Sequence, residues 1–215
     1  MQARRQGGTK GMKNIGIMGG TFDPIHYGHL LLGRQARKEY ALNEVWFMPS
    51  GQPPHKRDHL VTEAKHRWEM IRLALEGQEG LCLSDFEIRR PGATYTAQTL
   101  ALLHKTYPDT RFYFIIGADS LYEIEQWYRP DLVMTQAVLL VADRDYQKVH
   151  PEMNRQIQML EDSYGAMIFR LHSPEIDISS VEIRERAAKG CALDGLVPDV
   201  VLEYIKENKL YDRST

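Results

Sequence analysis

Gly19-Gly20-Thr21-Phe22-Asp23-Pro24-Ile25-His26-Tyr27-Gly28-His29 stands between a short apolar run, Asn14–Met18, and a segment, Gly28–Tyr40, in which Leu32, Ala36 and Tyr40 recur at helical spacing. A strand, a glycine turn and a helix in that order open an alternating β/α chain. The alternation continues on both sides of every later turn. Further strands are expected at Glu44–Met48, Leu81–Phe86, Arg111–Ile116, Ala137–Ala142 and Ala166–Leu171. Helices are expected at Glu63–Leu75, marked by Trp68, Ile71 and Leu75, and at Thr96–Lys105, marked by Leu100 and Leu103. Pro151–Ser163, Ser180–Lys189 and Pro198–Asn208 also read as helices, the last with proline at its first position. Strands that alternate with helices of this length imply right-handed crossovers and a doubly wound parallel sheet, an α/β fold. Such sheets bind ligands beyond the carboxyl ends of their strands, where the strand order reverses. The turns after strands one, two and four, GGTFDP, PSGQPPHK and GAD, put the unusual residues at that edge.

Composition limits the partners. The chain has 215 residues, 43% hydrophobic and 26% charged, with a formal net charge of −2. At this size a folded chain buries about three quarters of its unfolded surface, so a core forms without disulfides or metals. The near-neutral charge provides no general attraction to nucleic acid or to an anionic membrane, and no basic face with interleaved aromatics is present. Cys82 and Cys191 are far apart in sequence and have no ligand-spaced companions, which fits a reduced cytoplasm. Residues 1–11, MQARRQGGTKG, are polar and basic and read as an extension outside the fold, with no apolar stretch of the secretory kind. Residues 12–215 then read as one domain whose helical portion from about Ser180 packs onto it. No run approaches the roughly 20 apolar residues of a membrane span. A homo-oligomer is left open.

The chemistry concentrates in the quoted segment. Gly19 and Gly20 let a ligand approach the backbone, Thr21 and Phe22 follow them, and Asp23-Pro24 breaks the chain before a helix whose first amides would face an anion. His26 and His29 lie three residues apart at that helix start and can face one way. A His-x-x-His pair can also bind zinc, but no third ligand is spaced for it. The dinucleotide fingerprint G-x-G-x-x-G and the phosphate-binding G-x-x-x-x-G-K-[ST] are both absent. Elsewhere, Lys56 and Arg57 in the proline-rich loop read as cations over phosphates or as a solvated basic loop. Ile178-Ser179-Ser180 reads as a helix cap, with Arg184 one turn inside. Gly117-Ala118-Asp119 places a carboxylate after strand four, able to meet a ribose or to cap a helix at Ser120–Gln126. Thr94-Tyr95-Thr96 reads as a helix start and Trp127 as a packing aromatic.

GGTFDPIHYGH resembles the H-x-G-H signature of the adenylyl- and cytidylyltransferase superfamily, which has a Rossmann-like nucleotidyltransferase fold. Pro53-Pro54-His55-Lys56 narrows the resemblance to the nicotinate-nucleotide adenylyltransferases, and the likeness extends from Met12 to about Tyr211. ISSVEIR is similar to the superfamily's I-S-S-T-x-I-R, with Val181 in place of the threonine, which puts a hydroxyl role there in doubt. The resemblance implies transfer of AMP from ATP to nicotinate mononucleotide in NAD biosynthesis. It implies His26, His29, Lys56 and Arg184 as catalytic residues. Gly19, Gly20, Thr21, Phe22, Gly117, Asp119, Ile178, Ser179 and Ser180 would bind ATP. Thr94, Tyr95, Thr96 and Trp127 would bind the pyridine nucleotide, the threonine segment meeting its carboxylate and the tryptophan stacking on its ring. Mg2+ would accompany ATP, held by phosphates and water, with no metal ligands from the protein. The alternatives are a sister enzyme acting on phosphopantetheine or a cytidyl substrate, and a non-catalytic nucleotide-binding module.

Overall fold

The computed structural model describes residues 11–51, 61–143, 151–172 and 178–212. Six strands, β1 (Lys13–Gly20), β2 (Glu44–Pro49), β3 (Leu81–Leu83), β4 (Thr110–Gly117), β5 (Val138–Asp143) and β6 (Met167–His172), form one sheet in the order β3-β2-β1-β4-β5-β6. Every neighbouring pair is parallel. The order reverses between β1 and β4, so the carboxyl ends of these two strands, Gly20 and Gly117, border the crevice where such sheets bind ligands.

Period-two alternation divides the core into two layers. Ile15, Ile17, Phe112, Phe114, Leu139 and Val141 point to one face, where they meet Leu100 and Leu103 of α3 (Thr96–Thr106). Val133 and Met134 of α5 (Pro130–Gln136) join them, with Leu121 of α4 (Ala118–Glu123) and Leu160 of α6 (Pro151–Tyr164). Met18, Val45, Phe47, Ile115 and Leu140 point to the other face. There they meet α1 (Tyr27–Glu39), α2 (Ala64–Leu75), α7 (Ser180–Ala188) and α8 (Asp199–Glu207), the last two contributing Ile183, Val201, Leu202 and Ile205. Among the described residues no helix is long and apolar enough to cross a membrane.

The expected elements are present, and the differences have local causes. The strand expected at Leu81–Phe86 ends at Leu83, because this edge strand loses its partner once the Ser84 N–H has reached the Phe47 carbonyl at 2.9 Å. Pro198 is the residue before α8, not its first. The helix expected at Ser120–Gln126 starts at Ala118 with Gly117 as its cap, so Asp119 lies inside the first turn, and Ile124–Gln126 is a 3-10 turn. The fully buried residues of α1 are Leu30, Gly33 and Ala36, with Leu32 and Tyr40 partly buried against the same core. Gly33 allows a close approach: a Cβ there would come within 2.9 Å of Phe47 Cζ, and Phe47 is wholly buried. The close approach places the amino end of α1 beside the end of β1. Gly33→Val should therefore overpack this contact and cost about 2 kcal/mol, lowering the thermal midpoint by about 4–8 °C. An unchanged midpoint would contradict the tight helix-to-sheet contact.

Candidate functional site

The chain leaves β1 through Gly19-Gly20-Thr21 and turns at Phe22, whose φ of 50° lies in the left-handed region that a bulky residue rarely adopts. Burial holds it there. The ring is 3% exposed, tilted against Phe47 at 5.8 Å and edge-on to His29 at 4.9 Å between centroids. Asp23 is also buried, its carboxylate accepting from the Tyr211 hydroxyl at 2.7 Å and from the Thr62 N–H at 3.2 Å. Burial next to that carboxylate pushes the Tyr211 phenol far up, so it stays a neutral donor.

His26 occupies the cap position of α1 in extended conformation, and its backbone N–H donates to His29 Nδ1 at 3.3 Å. The bond places the proton of a neutral His29 on Nε2, leaving that nitrogen as a donor. The two rings stack with centroids 3.7 Å apart. Gly28 between them is required by this stack, since a Cβ would lie 3.0 Å from His26 Nδ1. Burial pulls the His26 imidazole down to about 4, and burial with His26 alongside pulls His29 well below the histidine range. Both rings are therefore neutral donors and acceptors near pH 7. His26 Nδ1 is buried without a hydrogen-bond partner among the described residues.

The carboxyl-terminal motif closes on the same turn. Ser179 caps α7 by accepting from the Glu182 N–H at 3.1 Å, as a helix cap should. Ser180 donates to the Pro24 carbonyl at 2.9 Å and Arg184 Nη1 to the Asp23 carbonyl at 2.6 Å. Ile178 and Arg184 are partly buried, and Val181 is exposed. Lys56 and Arg57 lie in residues 52–60, outside the described residues.

A cavity of about 400 Å³ opens at the crevice between β1 and β4. It brings together Gly19, Gly20 and Thr21, Gly117 at the end of β4, Thr94-Tyr95-Thr96 at the start of α3, and Trp127. Phe22, His26, His29, Asp119 and the Ile178–Arg184 group are not among its lining residues. The histidines stand on the helix that follows the turn, Phe22 supports the turn from the core, and Asp119 is exposed on the first turn of α4.

Two charged residues at the site, Arg67 and Glu87, escaped the sequence reading. Arg67, 1% exposed on α2, donates to the carbonyls of Thr62 at 2.9 Å, Thr21 at 2.9 Å and Gly51 at 3.2 Å. The signal was a cation on an apolar stripe: with Met70, Ile71, Ala74 and Leu75 it forms the buried face of α2. Glu87, in the turn after β3, lines the cavity; in sequence it looks like an ordinary acid beside Arg89 and Arg90.

The family described as Cytidylyltransferase-like matches residues 17–186. A "Probable nicotinate-nucleotide adenylyltransferase" of Lachnoclostridium phytofermentans is 44% identical over 200 residues, covering 93% of this chain and all of that protein. One of the same name from Clostridium botulinum is 39% identical over 93% of this chain and 98% of its own length. The chain belongs to the nicotinate-nucleotide adenylyltransferase family. Its fold is also that of Plasmodium falciparum nicotinic acid mononucleotide adenylyltransferase. At 22% identity, covering 93% of this chain and 97% of the other, structures of that enzyme complexed with APC and with NaAD superpose with TM-scores of 0.74 and 0.76.

The buried histidine has a measurable consequence. In the unfolded chain His26 takes up a proton below about 6.5, whereas the folded ring resists until about 4. Stability is therefore fully present above 6.5 and is lost as pH falls towards 4, by about 2–3 kcal/mol between pH 7 and 4.5 from this residue. Urea titrations at these two pH values should show His26→Gln losing less stability than wild type by about that amount. Equal losses would contradict a neutral buried His26.

Proposed function

We infer that the protein is an adenylyltransferase that joins AMP from ATP to nicotinate mononucleotide, giving nicotinate adenine dinucleotide and pyrophosphate. The observation that carries this reading is the cavity at the strand-order reversal, which unites the Gly19–Thr21 turn with the start of α3 and with Trp127. Relatives of that name that align along nearly the whole chain support it.

In the reaction a phosphate oxygen of the mononucleotide bonds to the α-phosphorus of ATP while the bond from that phosphorus to the β-phosphate oxygen breaks. Phosphate is already a competent nucleophile, so the protein's task is to align two anions and stabilise charge on the leaving group. The Gly19-Gly20-Thr21 backbone, the amino end of α1 and the Nε2–H of His29 would meet the phosphates, with His26 stacked against His29 to fix its ring. Arg184, tied to the turn through Asp23, would hold the pyrophosphate end together with Lys56. Gly117 and Asp119 would meet the adenosine, the exposed carboxylate accepting from ribose hydroxyls, and Phe22, Ile178, Ser179 and Ser180 would border it. The first amides of α3 at Thr96 and Ala97 would receive the nicotinate carboxylate, with Thr94 and Tyr95 beside it and Trp127 on the ring face.

No group of three or more His, Cys, Asp or Glu able to hold a metal ion is present among the described residues. Mg2+ would be carried by the triphosphate, where it would neutralise phosphate charge. Unpaired Cys82 and Cys191 fit a cytoplasmic location.

Pyrophosphate release with ATP should be measured against nicotinate mononucleotide, its amide form, phosphopantetheine and choline phosphate. Nicotinate mononucleotide should be favoured over the amide by about 100-fold or more in kcat/KM, because the amide loses charge-assisted hydrogen bonds. His29→Ala should lower kcat by about 100-fold or more while the protein stays folded. Preference for phosphopantetheine or choline phosphate would replace this reading with a sister activity. Equal rates with acid and amide would remove the carboxylate site.

A further inference from the structure

Among the described residues lining the cavity, Glu87 is the only Asp, Glu, Lys or Arg. Its surroundings are specific. Oε1 accepts from the Thr99 hydroxyl at 2.6 Å and Oε2 from the Thr94 hydroxyl at 3.3 Å. Arg90 Nη1 donates to Thr99 Oγ1 at 3.1 Å, so the Thr99 proton has to point at Glu87. Thr94 and Thr99 are both buried, at 7% and 2% exposure. Burial holds the Glu87 carboxyl above the ordinary carboxylate range, and the hydrogen bonds from Thr99 and Thr94, with Arg90 beyond them, offset only part of that rise.

Joining two threonines does not require a charge, and a partly buried carboxylate carries a desolvation cost. Its place in the cavity wall points to a cation inside. The pyridine ring of nicotinate mononucleotide provides one, since its nitrogen is quaternary, bonded to ribose, and positive at every pH. The same ring carries a negative carboxylate, which a nearby Glu87 repels. The amides that begin α3 sit next to Glu87 along this wall, so the wall offers a negative point and a positive helix end to a zwitterionic ring.

We propose that Glu87 is a specificity-determining residue whose carboxylate faces the quaternary ring nitrogen of the mononucleotide, turning the ring so that its own carboxylate meets the start of α3. The inference rests on the activity described above. It goes beyond that activity in stating that the enzyme reads the charge of the ring as well as its carboxylate. An uncharged ring of the same outline should be a poor substrate even with its carboxylate intact.

Steady-state kinetics with nicotinate mononucleotide and its 1,4-dihydro form, made by chemical reduction, test this, because reduction removes the ring charge and keeps the carboxylate. Wild type should show a KM for the dihydro form about tenfold or more above that for the oxidised form. Glu87→Gln should raise the KM for the oxidised form by about tenfold, leave kcat and the KM for ATP within about twofold, and bring the two forms close together. A purely structural role would raise both KM values alike and preserve their ratio, which would overturn the proposal. Equal KM values for the two forms in wild type would also overturn it, whether or not the variant folds. Absence of turnover with nicotinate mononucleotide by wild type would instead remove the activity on which the proposal stands.

Discussion

The guanidinium of Arg67 is the tie on which the catalytic edge depends. One planar cation, removed from water by α2, satisfies three carbonyls from three segments: Thr21 after β1, Gly51 after β2 and Thr62 before α2. Loop carbonyls at a sheet edge ordinarily turn to solvent. Turned inward here, they leave the opposite side of the Gly19–Thr21 turn free for a ligand. Burial of so strong a cation lowers its pKa, and Asp23 nearby partly offsets that effect. Removing the cation would leave three buried acceptors without donors, each costing about 1–3 kcal/mol.

From that tie the rest of the site follows in order. Asp23, one residue beyond Phe22, is gripped from two distant segments, by Thr62, 39 residues on, and by Tyr211, 188 residues away. Ser180 and Arg184 close the same turn from α7. The strained Phe22 and the stacked His26–His29 pair are held without charge on the imidazoles. The neutral imidazoles can give directed hydrogen bonds, while the positive groups at the turn are the guanidiniums of Arg67 and Arg184 and the amino end of α1. Across the crevice Glu87 is the only Asp, Glu, Lys or Arg on the described cavity wall.

Much of this was legible in the sequence because it is periodic or local. Six strands and six of the helices could be read from apolar spacing, whereas the strand order β3-β2-β1-β4-β5-β6 could not, because crossover handedness alone does not say where the order reverses. The two histidines were legible because a helix start places residues three apart on one face. Arg67 was not, because a cation within an apolar stripe reads as an irregularity until the three carbonyls it meets are known. Glu87 was hidden for a similar reason: its threonine partners lie seven and twelve residues further on, across a turn. That the ring of Phe22 is buried under the turn could not be read locally, because its partner Phe47 comes from another strand. Short α4 and α5 carry too few residues for a period to show.

Arg67→Lys tests whether catalysis depends on the turn that Arg67 holds, because it keeps the charge but offers one compact head where three separated carbonyls must be met. Its steady-state kinetics should be measured well below the melting temperature of both proteins, with ATP and nicotinate mononucleotide. A fall in kcat/KM of about tenfold or more is expected in a protein that remains folded, as the phosphate-facing backbone loses its alignment. Wild-type kinetics in a folded Arg67→Lys protein would contradict a catalytic role for this tie.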